Sequence, residues 1–117
     1  MGQLATYQNY IDGQWSDSVS GETYTITNPA HKSQVLGRFQ RSNNEDAVRA
    51  IEAARNALDG WASTPAPQRA AILFKALQLM EERGDELARS ITIEEGKPIG
   101  DAMGEVKRSM NITEYAA

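Results

Sequence analysis

The spacing of apolar residues changes period once along the chain, near residue 42. Before that point, short runs rich in β-branched and aromatic side chains alternate with turn signals, which predicts strands. Residues 7–11 read as a short strand, Asp12-Gly13 as a tight hairpin turn and residues 14–16 as the start of the return strand. A turn-rich stretch at 17–21 leads to a strand over 23–27, which Asn28-Pro29 ends. Residues 31–34 read as a polar loop, and 35–40 as a further strand in which Gly37 marks a bulge. Residues 1–6 show no period and are expected to fray.

After residue 42 the period becomes helical. Ser42 and Glu45 fit a capping box, in which each side chain satisfies a free amide at a helix start. Ala47, Val48, Ile51, Ala54 and Leu58 follow as a narrow apolar face, and Gly60 is expected to stop the run. Ser63-Thr64-Pro65 predicts a second start, with Ala70, Leu73, Ala76, Leu77 and Met80 on one side of a helix over about 66–83. Ile72 and Leu79 widen that side, which predicts cover on more than one face. Gly84 breaks the pattern, Asp85 caps a shorter helix, and Gly96 closes it in the left-handed conformation. From Pro98 a last helix carries Ile99, Met103, Val106, Met110, Thr113 and Ala117 as one stripe, while Lys97 in the break is forced to the surface. The order is strands about 7–40, then four helices about 43–117, an α+β arrangement.

Composition makes that core thin. Leu, Ile, Val and Phe supply 21 of 117 residues, and the 40% apolar total is reached only through 16 alanines. A chain of this length is expected to form one small domain that buries little of its surface. One physical explanation is that a complementary half is missing. With a net charge of −4 and basic residues scattered among acids, no nucleic-acid footprint is present. Absence of cysteine excludes disulfides, thiolate metal sites and a cysteine nucleophile within the chain. No leader pattern or membrane-length apolar run is visible, so no membrane partner is expected and the cytoplasm is the simplest location.

Several positions carry candidate chemistry, each with a plainer reading. Glu94, Glu95 and Lys97 could place two acids beside a base, although a charged helix end is more often simply solvated. Gly96, Gly100 and Gly104 at four-residue spacing suit close helix packing better than phosphate binding, for no strand or Gly-Lys-Ser/Thr accompanies them. His31 is the only histidine and has no partner nearby, while Trp15 and Trp61 suit the edge of a core. Glu105, Arg108, Ser109 and Ile112 lie off the apolar stripe of the last helix, as either a solvated face or the lining of a channel.

Read together, the blocks resemble the N-terminal segment of the NAD(P)-dependent aldehyde dehydrogenase superfamily. The likeness runs through Tyr10-Ile11-Asp12-Gly13-Gln14-Trp15, Asn28-Pro29-Ala30, the alanine-rich stretch 47–61 and Arg69-Ala70-Ala71-Ile72-Leu73. It continues through Met80-Glu81-Glu82-Arg83, Glu86-Leu87-Ala88, Glu94-Glu95-Gly96-Lys97-Pro98, Ala102 and Gly104-Glu105-Val106, in order over nearly the whole chain. His31-Lys32-Ser33 departs from the Thr-Gly-Glu common after Asn-Pro-Ala, and the 35–39 run is similar to members acting on semialdehydes of dicarboxylic acids.

The resemblance implies that residues 1–117 are the leading part of a Rossmann-like α/β coenzyme-binding domain, without the catalytic domain. Family members oxidise aldehydes to carboxylic acids with NAD or NADP. Their nucleophilic cysteine, catalytic glutamate and glycine-rich cofactor motif lie outside this segment, which implies no catalytic or cofactor-binding residue here and no activity of the chain alone. It further implies Glu105, Arg108, Ser109 and Ile112 at the substrate entrance, and Thr27 with Glu94 near a structural monovalent cation, for which oxygen ligands are suited. Partners would be the remainder of the dehydrogenase, or further copies of the chain through exposed helix faces. A different class of reading, a helical interaction or oligomerisation module without catalysis, stands beside it.

Overall fold

A computed structural model describes residues 4–117, which gather into two compact units. One contains the chain up to Thr27 with His31–Ser63, and the other Asn28–Ala30 with Thr64–Ala117. Of the stretch expected to fray, residues 1–3 lie outside the described residues, whereas Thr6 enters a strand.

The first unit holds β1 (Thr6–Tyr7), β2 (Asn9–Ile11), β3 (Gln14–Ser16), β4 (Thr23–Asn28, all but its last residue), β5 (His31–Gln40) and α1 (Asn44–Ser63). The strand expected over 7–11 is split at Gln8, because its two halves join different sheets. β1 runs parallel to β5, with Thr6 opposite Arg38, and β2 runs antiparallel to β3, with Ile11 opposite Gln14. The hairpin turn stands as expected: Asp12 and Gly13 both take positive φ, 53° and 73°, which a tight two-residue turn needs.

The sheet order β1-β5-β4 places β5 in the centre. β5 begins at His31, so the polar loop expected at 31–34 is in fact strand. Its cause is local: Asn28 Oδ1 accepts a 2.9 Å hydrogen bond from the Ala30 amide, and the chain reverses within two residues. Gly37 is buried without a bulge, and its role is close approach. A Cβ there would stand 2.5 Å from the Tyr7 ring and 3.3 Å from the Ala5 carbonyl. The Tyr7 ring stacks on Phe39 at 4.9 Å.

α1 starts one residue later than the sequence suggests. Asn43 Oδ1 accepts from the amides of Glu45 and Asp46, and Asp46 Oδ2 accepts in return from the Asn43 amide. The capping box is therefore Asn43 with Asp46, while Ser42 Oγ instead accepts from Asn9 Nδ2 at 2.8 Å. Gly60 does not end the helix, which continues to Ser63. The expected face of Ala47, Val48, Ile51, Ala54 and Leu58 is exposed. An open groove separates α1 from the β2–β3 turn, lined on the helix side by Ala50, Ala53, Ala54 and Ala57 and on the other by Tyr10, Ile11, Asp12 and Gly13.

The second unit comprises α2 (Ala66–Glu82), α3 (Gly84–Glu95) and α4 (Ile99–Ala116). Pro65, rather than a serine or threonine, occupies the cap position of α2, and no side chain bonds there. Ala70, Leu73, Ala76, Leu77 and Met80 are half-buried as expected, but Ile72 and Leu79 are exposed among the described residues. Arg83 ends α2 and begins α3, so Asp85 sits inside the first turn of α3 rather than capping it. The core joins Ala88 of α3 to Ala102 and Val106 of α4, with Leu87, Ile91 and Met110 against it. Ile99 and Met103, the first two positions of the expected stripe, remain exposed.

Candidate functional site

The α3–α4 junction is fixed by its backbone. Gly96 takes φ 77°, closing α3 with a 2.8 Å bond from its amide to the Thr92 carbonyl. Pro98 then opens α4 at φ −57°, its carbonyl accepting from the amides of Asp101 and Ala102. A Cβ on Gly96 would lie 2.9 Å from Pro29 Cγ, so the Asn-Pro-Ala turn packs against the left-handed residue.

Lys97, expected at the surface, is folded back. Its side chain is only 24% exposed, and Nζ lies 2.8 Å from Glu95 Oε2 and 2.5 Å from Glu105 Oε1. Hydrogen bonds to Glu105 first, and then to Glu95, push its pKa well above the ordinary lysine range. Sequence reading placed Lys97 only by its backbone neighbours. The contact with Glu105 spans eight residues across a helix break, which helical periodicity cannot encode.

Glu105, Arg108, Ser109 and Ile112 are all exposed on α4 and share one face at helical spacing. The adjacent face carries Ala102, Val106, Met110 and Thr113, whose hydroxyl donates to the Ser109 carbonyl and contacts Met80 sulfur. The Arg108 guanidinium has no hydrogen-bonding or ionic partner among the described residues. Glu94 is exposed in the last turn of α3, and Thr27 is exposed in β4 of the first unit. Among the described residues no group of three or more His, Cys, Asp or Glu could hold a metal ion.

Other candidates are placed plainly. His31 is exposed on β5, Trp15 is 67% exposed and tilts against Tyr10 at 4.9 Å, and Trp61 is half exposed. Gly100 and Gly104 have nothing within 4 Å of a built Cβ, so the close packing expected of the glycine series occurs only at Gly96. Sequence reading missed Asp46, 3% exposed and bonded by Ser18 Oγ and the amides of Val19 and Asn43. The available signal was an acid three residues after Asn43.

None of the four helix starts among the described residues offers a phosphate site. Phosphate binding at a helix start needs free amides and no competing anion. At α1 the amides are spent on Asn43, beside the Asp46 carboxylate. α2 opens with Pro65 and Pro67, which lack an amide hydrogen, and α3 and α4 carry acids in their first turns. Among the described residues, no helix is long and apolar enough to cross a membrane.

Comparison with known proteins gives these elements a common context. The profile of the aldehyde dehydrogenase family matches residues 15–117. The chain is 45% identical over 108 residues to an alpha-ketoglutarate semialdehyde dehydrogenase of Haloferax volcanii, covering 92% of the chain and 22% of that enzyme. It is 46% identical over 114 residues to malonate-semialdehyde dehydrogenase 1 of Geobacillus thermodenitrificans, covering 97% of the chain and 23% of that enzyme. In three dimensions it resembles a NAD-dependent aldehyde dehydrogenase from Sinorhizobium meliloti, with a TM-score of 0.90, 33% identity, and coverage of 97% of this chain and 23% of that one. The chain thus spans under a quarter of the length of these relatives, and its α+β elements are those of the corresponding part of a Rossmann-like enzyme. Matched along most of its length in both sequence and structure, this chain belongs to the aldehyde dehydrogenase family.

Proposed function

We propose that the chain is the leading part of an enzyme that oxidises a semialdehyde, with water, to the corresponding dicarboxylic acid and passes a hydride to NAD or NADP. The observation that carries this reading is the match over residues 15–117 together with the semialdehyde dehydrogenases among the relatives. The chain contains no cysteine, so the thiolate chemistry of the family falls to residues outside it, as does the hold on the nucleotide. Alone, the chain turns over no aldehyde.

Within this reading, the exposed face of α4 borders the route of the substrate. Glu105, Ser109 and Ile112 line it, and Arg108 binds the carboxylate that distinguishes a semialdehyde from a simple aldehyde. The role is proposed from its place on that exposed face, three residues after Glu105. Thr27 and Glu94 are each proposed, from the family resemblance, as an oxygen donor to a monovalent cation in the complete enzyme. The cytoplasm is the proposed location.

Two assays test the proposal. The chain alone, incubated with NAD or NADP and a panel of aldehydes, gives no reduced cofactor; a burst would overturn the reading. The complete enzyme carrying this segment prefers an aldehyde bearing a terminal carboxylate to an uncharged aldehyde of equal length, and equal use of both would remove the semialdehyde assignment.

The exposed apolar side chains favour a partner for the isolated chain. Ile51, Leu58, Ile72, Phe74 and Ile112 are all more than half exposed, and no large side chain is fully buried among the described residues. These faces are proposed to meet the remainder of the enzyme, or further copies of the chain when it is alone. Light scattering over a concentration series should show association, and a strictly monomeric chain would count against it.

A further inference from the structure

We infer that Lys97 is a positioning residue that keeps Arg108 available to the substrate carboxylate by drawing Glu105 into an ion pair. The inference rests on the proposed semialdehyde function and adds a determinant of specificity to the same helix face. Glu105 and Arg108 are three residues apart on α4, a spacing at which an acid and a base readily pair. They do not pair here. Glu105 turns to Lys97 at 2.5 Å, whereas the Arg108 guanidinium has no partner among the described residues.

The geometry makes Lys97 a strong competitor for Glu105. Its stem is held by the break between the left-handed Gly96 and Pro98, and its side chain is three-quarters buried. Little side-chain freedom remains to be lost when the pair forms, which is the usual reason that exposed pairs are weak. Glu95 adds a second acceptor on the α3 side and helps to hold the ammonium in place.

Removing the lysine charge frees Glu105 beside Arg108. A carboxylate on the same helix competes with substrate at an effective concentration of millimolar order, which matches or exceeds working substrate levels for a typical enzyme. The internal acid then occupies the guanidinium, and a carboxylate-bearing aldehyde must displace it. An uncharged aldehyde meets no such competition, so the effect falls on discrimination between the two substrates.

The test uses the complete enzyme and aldehydes matched in length, with and without a terminal carboxylate. Lys97→Met should raise KM for the carboxylated substrate about two- to threefold relative to the uncharged one, the reach of an exposed helix pair, with kcat unchanged. Lys97→Arg keeps the pair and should restore the wild-type ratio, as should Lys97→Met combined with Glu105→Gln. Lys97→Gln, which removes the charge but keeps a polar side chain, should raise the ratio in the same way and serves if Lys97→Met does not fold. An unchanged ratio in the lysine variant that folds, or a double variant that stays impaired, overturns the inference. Failure of the underlying function is distinct: the wild-type enzyme would then show no preference for the carboxylated aldehyde.

Discussion

Ser18 Oγ donates a 2.6 Å hydrogen bond to Asp46 Oδ2, and both residues are buried. This bond ties the turn before β4 to the first turn of α1. The Val19 amide adds a 3.0 Å bond to the other carboxylate oxygen, so the loop is held through both oxygens of one acid. Acidic side chains also suit the positive end of the helix dipole.

The first prediction concerns acid. The Ser18 hydroxyl, then the Asn43 and Val19 amides, hold the Asp46 carboxyl below its ordinary value of 3.8. Below that value the unfolded chain takes up the proton first. The stabilising contribution is therefore complete above it and is lost as pH falls through the lower folded value. Urea midpoints of the wild-type chain should decline over this acid range, and Asp46→Asn should flatten the decline while lowering stability at neutral pH. Parallel pH profiles for the two proteins would show that Asp46 is not the linked group.

The second prediction separates two registers of the same cap. Asn43→Ala should destabilise the chain by about 1 kcal/mol, the usual loss for a capping side chain. Ser42→Ala, which removes only an exposed contact with Asn9, should have a clearly smaller effect. Thermal melts of the two variants decide between them, and a larger loss at Ser42 would restore the register read from sequence.

These differences show what periodicity can carry. The hairpin at Asp12-Gly13, the left-handed stop at Gly96 and the half-buried side of α2 were legible because each depends on neighbours within about one turn. The start of β5 at His31 was not, because polar residues become strand when a tight turn and a neighbouring strand supply their backbone partners. Gly60 looked like a stop for a related reason: glycine weakens a helix interior without forbidding it. In the candidate site, α4 and its exposed face were readable at helical spacing. The Lys97 pair with Glu105 was invisible, since it crosses a break whose geometry is set by φ at a single glycine.

A third prediction follows for alkali. Bonds to Glu105 and Glu95 raise the Lys97 pKa above the ordinary lysine value of 10.5, so this contribution is fully present below that value. It is lost as pH rises through the higher folded value. Lys97→Met should therefore be less stable than wild type at neutral pH and should converge with it in strong alkali. A gap that persists unchanged at high pH would assign the loss to packing of the lysine stem instead of its charge.

The last prediction sets two glycines of one series against each other. At Gly96, φ is 77° and a Cβ would stand 2.9 Å from Pro29 Cγ. Gly96→Ala must hold alanine in the left-handed region, at a cost of roughly 1–2 kcal/mol, before any displacement of the proline ring is counted. At Gly104, inside α4, a Cβ meets nothing within 4 Å, and the backbone is ordinary helix. Alanine there loses less conformational freedom on folding, so Gly104→Ala should stabilise the chain by about 1 kcal/mol. The two substitutions are chemically identical and differ only in local backbone and space. Opposite shifts in thermal midpoint are expected, downward for Gly96→Ala and upward for Gly104→Ala. If both shift downward, Gly104 approaches another surface in solution, and the face of α4 that carries it is covered when the chain is alone.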